Sequence, residues 1–393
     1  MTFLLERARQ LEGDLIELRR DLHRHPELSF QEHRTAAIVA ERIAAAGWRV
    51  RTGVGGTGVV AEIGEGAPVV ALRADMDALP IHETADIDYR SSVAGVMHAC
   101  GHDAHTSMLV GAARLLADTA GDGPGTIRLL FQPAEEASDE QNRSGATRMI
   151  ADGAMEGVAA IFGLHIAAHL EAGRVFLKPG PIMAGSDILH LVVEGESAHA
   201  GRPNEGIDAI LLAAQAITAC QANLARRLSP FDAGVLSIGT IRGGSAENVL
   251  AERVEMSGTI RYFREEERTR LHEILRSSFA LCEAQGGRAR VDVVPNYPPV
   301  VNEEGMTALA ATAIASELGD DALRLPEPFM WAEDFAILLR EAPGAFFMLG
   351  AALEPPREHH HPRFDIDERV LPLGAAALAA CARAALRALR ESA

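Results

Sequence analysis

Five short stretches of the chain set acidic, histidine or cysteine side chains in polar, turn-rich surroundings. In "MHACGHDAHT", Cys100 and His102 are two residues apart, so in extended backbone they share a face. Gly101 between them lets the main chain approach a bound ion closely. Thiolate and imidazole are ligands for zinc and its transition-metal neighbours. "ALRADMDALP" sets Asp75 and Asp77 on one face at the end of an apolar run, where two carboxylates repel unless a cation or histidine separates them. "FQPAEE" ends the apolar run "IRLLF" in adjacent Glu135 and Glu136, which point apart in an extended chain. One can then bind a metal while the other faces water, as metal-assisted hydrolysis requires. His165 closes "IFGLHI", and "REHHHPRFDID" presents three histidines ahead of Pro362, whose ring fixes the backbone.

Each stretch alone has a bland reading: a solvated strand end, an acidic loop, a structural histidine. Together they supply thiolate, imidazole and carboxylate at separate strand ends, the usual place for an α/β active site. For Cys100 a disulfide is the weakest option, because Cys220, Cys282 and Cys381 sit in apolar helical patterns and read as small buried hydrophobes. A cysteine hydrolase is a second enzyme class, but it leaves the glutamate pair, His165 and His360 without a task. A metal-binding dimeric protein on a degenerate hydrolase scaffold is the non-enzymatic reading.

These residues need a scaffold, and 393 residues with 48% apolar content are enough for two domains. Aromatics make up only 5%, so the cores are aliphatic. A net charge of −18 argues against nucleic acid and anionic membrane as partners. No uninterrupted apolar run approaches the ~18 residues of a membrane span. The opening "MTFLLERARQLEGDL" is charged throughout, unlike a signal peptide, so a cytoplasmic, reducing location with free thiols is expected.

Residues 5 to 46 read as helices broken at "HRHPELSF", followed by short valine-rich strands. "TSMLVGAARLLAD" is a helix, and "GTIRLLFQ" and "VAAIFGLHI" are strands. "GVGGTG", Gly53 to Gly58, matches a dinucleotide fingerprint, but strand follows it rather than helix, so it reads as a turn. From about Gly185 to Pro295 the order β-α-β-β-α-β is a ferredoxin-like unit. The expectation is an α/β catalytic domain with a mixed sheet flanked by helices (1–184 and 296–393), interrupted by an inserted α+β domain (185–295).

The ordered set "DLHRHPELSFQE", "ALRADMDALPI", "HACGHDAHT", "FQPAEE", "GLH", "HAGRPNEGIDAI", "NVLAERVEMSGTIR", "AEDFA" and "HHPRFDIDE" covers nearly the whole chain. It resembles the aminoacylase and carboxypeptidase superfamily of metallopeptidases, in its amidohydrolase branch. That branch includes hippurate hydrolases, bacterial aminoacylases, auxin-conjugate hydrolases and N-acetyl-diaminopimelate deacetylases.

The resemblance implies one or two divalent ions (Zn, Mn, Co or Ni) held by Cys100, His102, Glu136, His165 and His360, with Glu135 as general base. His360 rather than His361 matches the motif, and Asp77 matches a supporting carboxylate behind the ligands. His199 matches a histidine that reaches the reacting carbonyl, and Asn248 and Arg261 match residues that hold a free substrate carboxylate. The inserted domain is implied to act as lid and dimerisation domain, giving a homodimer or homotetramer. The expected substrate is an N-acyl amino acid, with N-acetyl-diaminopimelate or a small dipeptide as alternatives. Trp331, Asn204 and "AAHLEAG" after His165 depart from the common pattern, and Trp331 is placed to narrow or line an acyl pocket.

Overall fold

The computed structural model describes residues 3–117 and 124–392. The expected helix end at Asp118 and the chain ends Met1, Thr2 and Ala393 lie outside them. The chain divides into two compact units: Met1–Ile182 with Val300–Glu327 and Asp334–Ala393, and Met183–Pro299 with Pro328–Glu333.

In the first unit the early strands are β1 (Arg49–Val54), β2 (Gly58–Glu65), β3 (Val69–Asp75), β4 (Gly125–Gln132), β5 (Val158–Ala167), β6 (Val175–Phe176) and β7 (Gly180–Met183). The second unit holds β8 (Gly185–Glu194), β9 (Gly234–Gly243), β10 (Arg253–Tyr262) and β11 (Arg288–Pro295). The chain then returns through β12 (Val300–Asn302), β13 (Leu323–Arg324) and β14 (Gly344–Gly350).

Eight strands form one mixed sheet in the order β1-β2-β4-β3-β5-β14-β6-β13. Its middle, β4-β3-β5-β14, is parallel. β3 and β14 are almost continuous apolar runs, as strands covered on both faces require, and every residue of β14 is buried. Because β4, β3 and β5 run the same way, the segments after Gln132 and Asp75 and the end of β5 around His165 emerge at one sheet edge. The helices include Glu12–Arg24, His33–Ala45, His102–Leu116, Glu304–Leu318 and Leu371–Glu391. Leu18, Leu72, Phe131, Phe162, Phe347 and Leu378 belong to the core that they share with the sheet. The "GVGGTG" segment is the turn between antiparallel β1 and β2, as expected.

Among the described residues, Glu368–Glu391 is the one helical span long and apolar enough to cross a membrane, and 78% of its most apolar window is buried inside the structure. It packs against the helices His102–Leu116 and Glu304–Leu318. Arg383 interrupts its apolar run.

The second unit is a four-stranded antiparallel sheet, β11-β8-β10-β9, with the helices Ala209–Arg227 and Glu265–Phe279. That is the β-α-β-β-α-β order read in the sequence. Asp208 caps the first helix by accepting from the N–H groups of Ile210 and Leu211 at 2.9 and 3.2 Å. The borders expected at 184/185 and 295/296 fall at 182/183 and 299/300. Pro328–Glu333, expected with the catalytic part, groups with this unit, where Ala184 N–H donates to Phe329 O at 2.9 Å. No local hydrophobic pattern announces such a long-range pairing.

Phe347, fully buried in the middle of β14, sets a test of the first unit's core. Phe347→Ala is expected to lower its unfolding free energy by ~3–5 kcal/mol, read as a shift of the urea midpoint at unchanged m.

Candidate metal centre

Asp77 organises the site. Its Oδ1 accepts from Glu135 N–H at 3.1 Å and lies 3.2 Å from His102 Nδ1. Its Oδ2 accepts from Glu136 N–H at 3.0 Å and from Ser29 Oγ at 2.6 Å. One buried carboxylate therefore holds both glutamates by their main chain and His102 by its ring. With Nδ1 on Asp77, Nε2 is the ring atom of His102 that remains available to a ligand.

The other residues arrive from separate elements. Gly101 has φ +95° at the start of the helix His102–Leu116, and a Cβ there would lie 2.3 Å from Ile166 Cγ2. Only glycine lets Cys100 and His102 come so close to β5. His165, on β5, lies with Nδ1 2.6 Å from Ile166 O, and its Nε2 is 3.4 Å from Cys100 Sγ. His360 is itself in left-handed backbone, φ +56°, with its N–H donating to Ala99 O at 2.8 Å. Its Nε2 is 3.3 Å from Glu136 Oε1. His359 Nε2 instead accepts from Ala168 N–H, and His361 Nδ1 from Arg363 N–H, so each neighbouring ring has another task.

Cys100, His102 and His165 present ligand atoms within 4.8 Å of one another; so do Cys100, Glu136 and His360, and so do His102, Glu135 and Glu136. Cys100 is common to two of these groups. His102 Nε2 and Glu136 Oε1 are buried and make no hydrogen bond among the described residues, the 3.3 Å approach of His360 Nε2 to Glu136 Oε1 lacking hydrogen-bond geometry. Such orphaned atoms are costly unless something fills the space between them. The donor set, one thiol, three imidazoles and a carboxylate, suits a divalent transition metal.

The electrostatics agree. Burial, then the negative charge of Glu136, Glu135 and Asp75, pushes the Cys100 thiol well above its ordinary value. A nucleophilic cysteine needs the opposite shift, so the cysteine-hydrolase reading loses its physical basis. Burial would lower His102, but Asp75 and Asp77 overcome it and raise the ring to about 10. Burial and the neighbouring ring of His105 keep His165 neutral, well below its ordinary value. In these surroundings a bound metal cation would supply the charge that a proton on His102 otherwise provides.

A family model described as "Peptidase family M20/M25/M40" matches residues 71–384. The chain belongs to this peptidase family. A Synechocystis protein named "Probable hydrolase" is 41% identical over 94% of this chain and 95% of its own length. An N-acetyl-L-cysteine deacetylase of Bacillus subtilis is 40% identical over 92% of this chain and 85% of its own. A solved structure from Bacillus subtilis, titled a dinuclear metal binding peptidase of the M20 family, superposes with a TM-score of 0.83 at 35% identity, covering 96% and 99% of the two chains. As an M20 family member, this protein is a metal-dependent hydrolase of amide bonds.

Seven of the ten residues singled out in the sequence, Asp77, Cys100, His102, Glu135, Glu136, His165 and His360, come together in the first unit. His199, Asn248 and Arg261 belong to the second. There His199 and Asn248 are exposed neighbours, Ala200 N–H donating to Asn248 O at 2.9 Å. His199 Nδ1 accepts from Gly201 N–H at 2.9 Å, so the neutral ring carries its proton on Nε2. Arg261 is half-buried on β10, and its guanidinium has no hydrogen bond or ion pair among the described residues. Trp331 stacks on Phe329 with ring centroids 5.2 Å apart.

Several supporting residues of this M20 site escaped the sequence reading. His105 lies with Nδ1 2.6 Å from Asp75 Oδ1, while its Nε2 accepts from Ile166 N–H at 2.8 Å, tying β3 to β5 beside His165. Arg73 bonds Asp75 at 2.6 Å and Asp334 at 2.8 Å, and Gln132 Nε2 also donates to Asp334. Arg19 pairs with Asp103 at 2.9 Å in the core. The signals were there: an arginine two residues before Asp75 inside an apolar strand, and a histidine three residues after His102 on one helix.

Two outcomes follow from this chemistry. The metal-free protein is expected to leave Cys100 unmodified by iodoacetamide at pH 7 until it is denatured, as peptide mass analysis would read. His98 is buried with neither ring nitrogen hydrogen-bonded among the described residues, and burial pushes it down to about 4. The unfolded ring binds a proton at about 6.5, so stability is lost as pH falls from there toward 4, by roughly 3 kcal/mol. Urea midpoints across that range should show the loss, and His98→Phe should remove it.

Proposed function

We propose that this protein hydrolyses the amide bond of N-acyl amino acids bearing a free α-carboxylate. In this reading Cys100, His102, Glu136, His165 and His360 hold one or two divalent ions of Zn, Mn, Co or Ni. The observation that carries it is the pair of orphaned atoms, His102 Nε2 and Glu136 Oε1, in a buried acidic pocket that also contains Glu135. When bound, the metal supplies the positive charge that acidifies the attacking water and polarises the scissile carbonyl.

Glu135 takes the proton of that water and delivers it to the leaving amine. Its main chain is anchored on Asp77, so the carboxylate need not reorganise as the charge moves. His199, with its proton on Nε2, donates to the oxygen of the reacting carbonyl. Arg261 and Asn248 hold the substrate carboxylate. A half-buried guanidinium without an anionic partner among the described residues supports that assignment, since carboxylate matches its fork. The Bacillus subtilis relative named for N-acetyl-L-cysteine deacetylation supports the substrate class. N-acetyl-diaminopimelate and small dipeptides belong in the same panel. We further assign a cytoplasmic homodimer or homotetramer formed through the second unit.

Chelator-stripped protein is expected to release amino acid from an N-acyl amino acid panel only after a divalent metal is restored. Glu135→Gln should retain bound metal and lose ~10²–10⁴-fold in kcat. Full turnover by that variant, with metal content confirmed, would reassign the base. Arg261→Ala should raise KM for acids far more than for the corresponding amides.

A further inference from the structure

Two residues outside the ligand set share an uncommon backbone and a common anchor. Phe30 has φ +62° and Ala134 φ +46°, left-handed conformations that a residue with a Cβ adopts only when its surroundings hold it there. Both donate their N–H to the same atom, Glu32 Oε1, at 3.0 and 2.8 Å. The other carboxyl oxygen, Oε2, accepts from Thr57 Oγ1. Glu32 is fully buried. Thr57 belongs to the glycine turn Gly53–Gly58, where a Cβ on Gly58 would lie 2.4 Å from Val54 O and 2.9 Å from Pro133 Cδ.

The turn thus packs directly on the segment that leads into the glutamate pair. Ala134 is gripped from its other side too, its carbonyl accepting from Gly145 N–H at 2.8 Å. A Cβ on Gly145 would lie 1.6 Å from Pro133 O, so the two segments touch main chain to main chain. Immediately after Ala134 come Glu135 and Glu136, whose N–H groups are on Asp77. Ser29, in the same segment as Glu32, also bonds Asp77.

We propose that Glu32 is a positioning residue for the Glu135–Glu136 pair: by holding Ala134 in left-handed backbone it sets the directions in which the two carboxylates leave the chain, with Thr57 holding Glu32. The device gives the "GVGGTG" turn, which links two antiparallel strands, a task in the site. It rests on the metal-hydrolase reading for the task of Glu135 and Glu136. What matters is the reach of an acceptor oxygen, not its charge. Burial, then Asp77, already pushes the Glu32 carboxyl up to about 7, so a neutral isostere is a mild change.

Glu32→Gln keeps the reach and removes the charge; Glu32→Asp keeps the charge and shortens the reach by one methylene. Thr57→Val leaves Glu32 intact and removes its holder. Zn²⁺ affinity of each metal-free protein is measured by competition with a chromogenic chelator, with folding checked by thermal melting. kcat and KM are then measured on an N-acetyl amino acid. Glu32→Asp is expected to bind Zn²⁺ ~10–100-fold more weakly and to lose kcat rather than KM, with Thr57→Val shifted the same way and Glu32→Gln at wild-type affinity. Wild-type affinity in both Glu32→Asp and Thr57→Val overturns the proposal, as does Glu32→Gln impaired as much as Glu32→Asp. If Glu32→Asp does not fold, Thr57→Val against Glu32→Gln decides. Wild-type protein that binds Zn²⁺ but cleaves no N-acyl amino acid overturns the substrate class alone, and the affinity series still judges Glu32.

Discussion

The carboxylate of Asp77 meets four partners, two main-chain N–H groups, a serine hydroxyl and a histidine ring, and the site is built around it. Both oxygens are engaged, so its part is to orient. A buried carboxylate with this many partners stays ionised, and each partner is fixed by the same charge. Glu135 and Glu136 could otherwise rotate as any loop pair does. Their N–H groups on one rigid acceptor give them a common frame with His102.

Around that frame lies an excess of buried acid. Asp75, Asp77 and Glu135, with half-buried Glu136, crowd a space in which Arg73, already shared between Asp75 and Asp334, and the ring of His102, which that acid holds protonated, are near cations. Burial opposes ionisation of Asp75, yet His102, Arg73 and His105 hold it well below the usual carboxylate range. Such a pocket is stable only with positive charge inside it. The rings of His102, His105 and His165 lie close together, their centroids 4.6–6.2 Å apart, which disfavours charging all of them at once. A divalent ion bound there would resolve the imbalance without protonating them.

The second unit carries a different kind of incompleteness. Arg261 is a half-buried cation with no anionic partner among the described residues, on a strand paired along both edges. Its neighbours in register, Ser186 and Val235, are uncharged.

Much of this was legible in one dimension. The fold class followed from strand and helix periodicity, and the β-α-β-β-α-β order survives intact in the second unit. The ligand candidates were visible because cysteine, histidine and glutamate at strand ends have few structural reasons to be there. Three kinds of feature were not legible. Glu32, Thr57 and His105 act by reaching main chain or side chains remote in sequence, and nothing local marks partners 25, 30 or 102 residues apart. Pro328–Glu333 groups with the second unit, where Phe329 pairs with main chain remote in sequence. The choice of His360 among three adjacent histidines rested on a resemblance; the left-handed backbone at His360, with its neighbours' rings bonded elsewhere, supplies a physical reason. Residue type and spacing determined which chemistry was available, because ligand character belongs to the side chain itself. Only the tertiary structure decided which atoms face one another, because direction is set by parallel strand ends and by buried carboxylates, Asp77 and Glu32, that hold the loops between them.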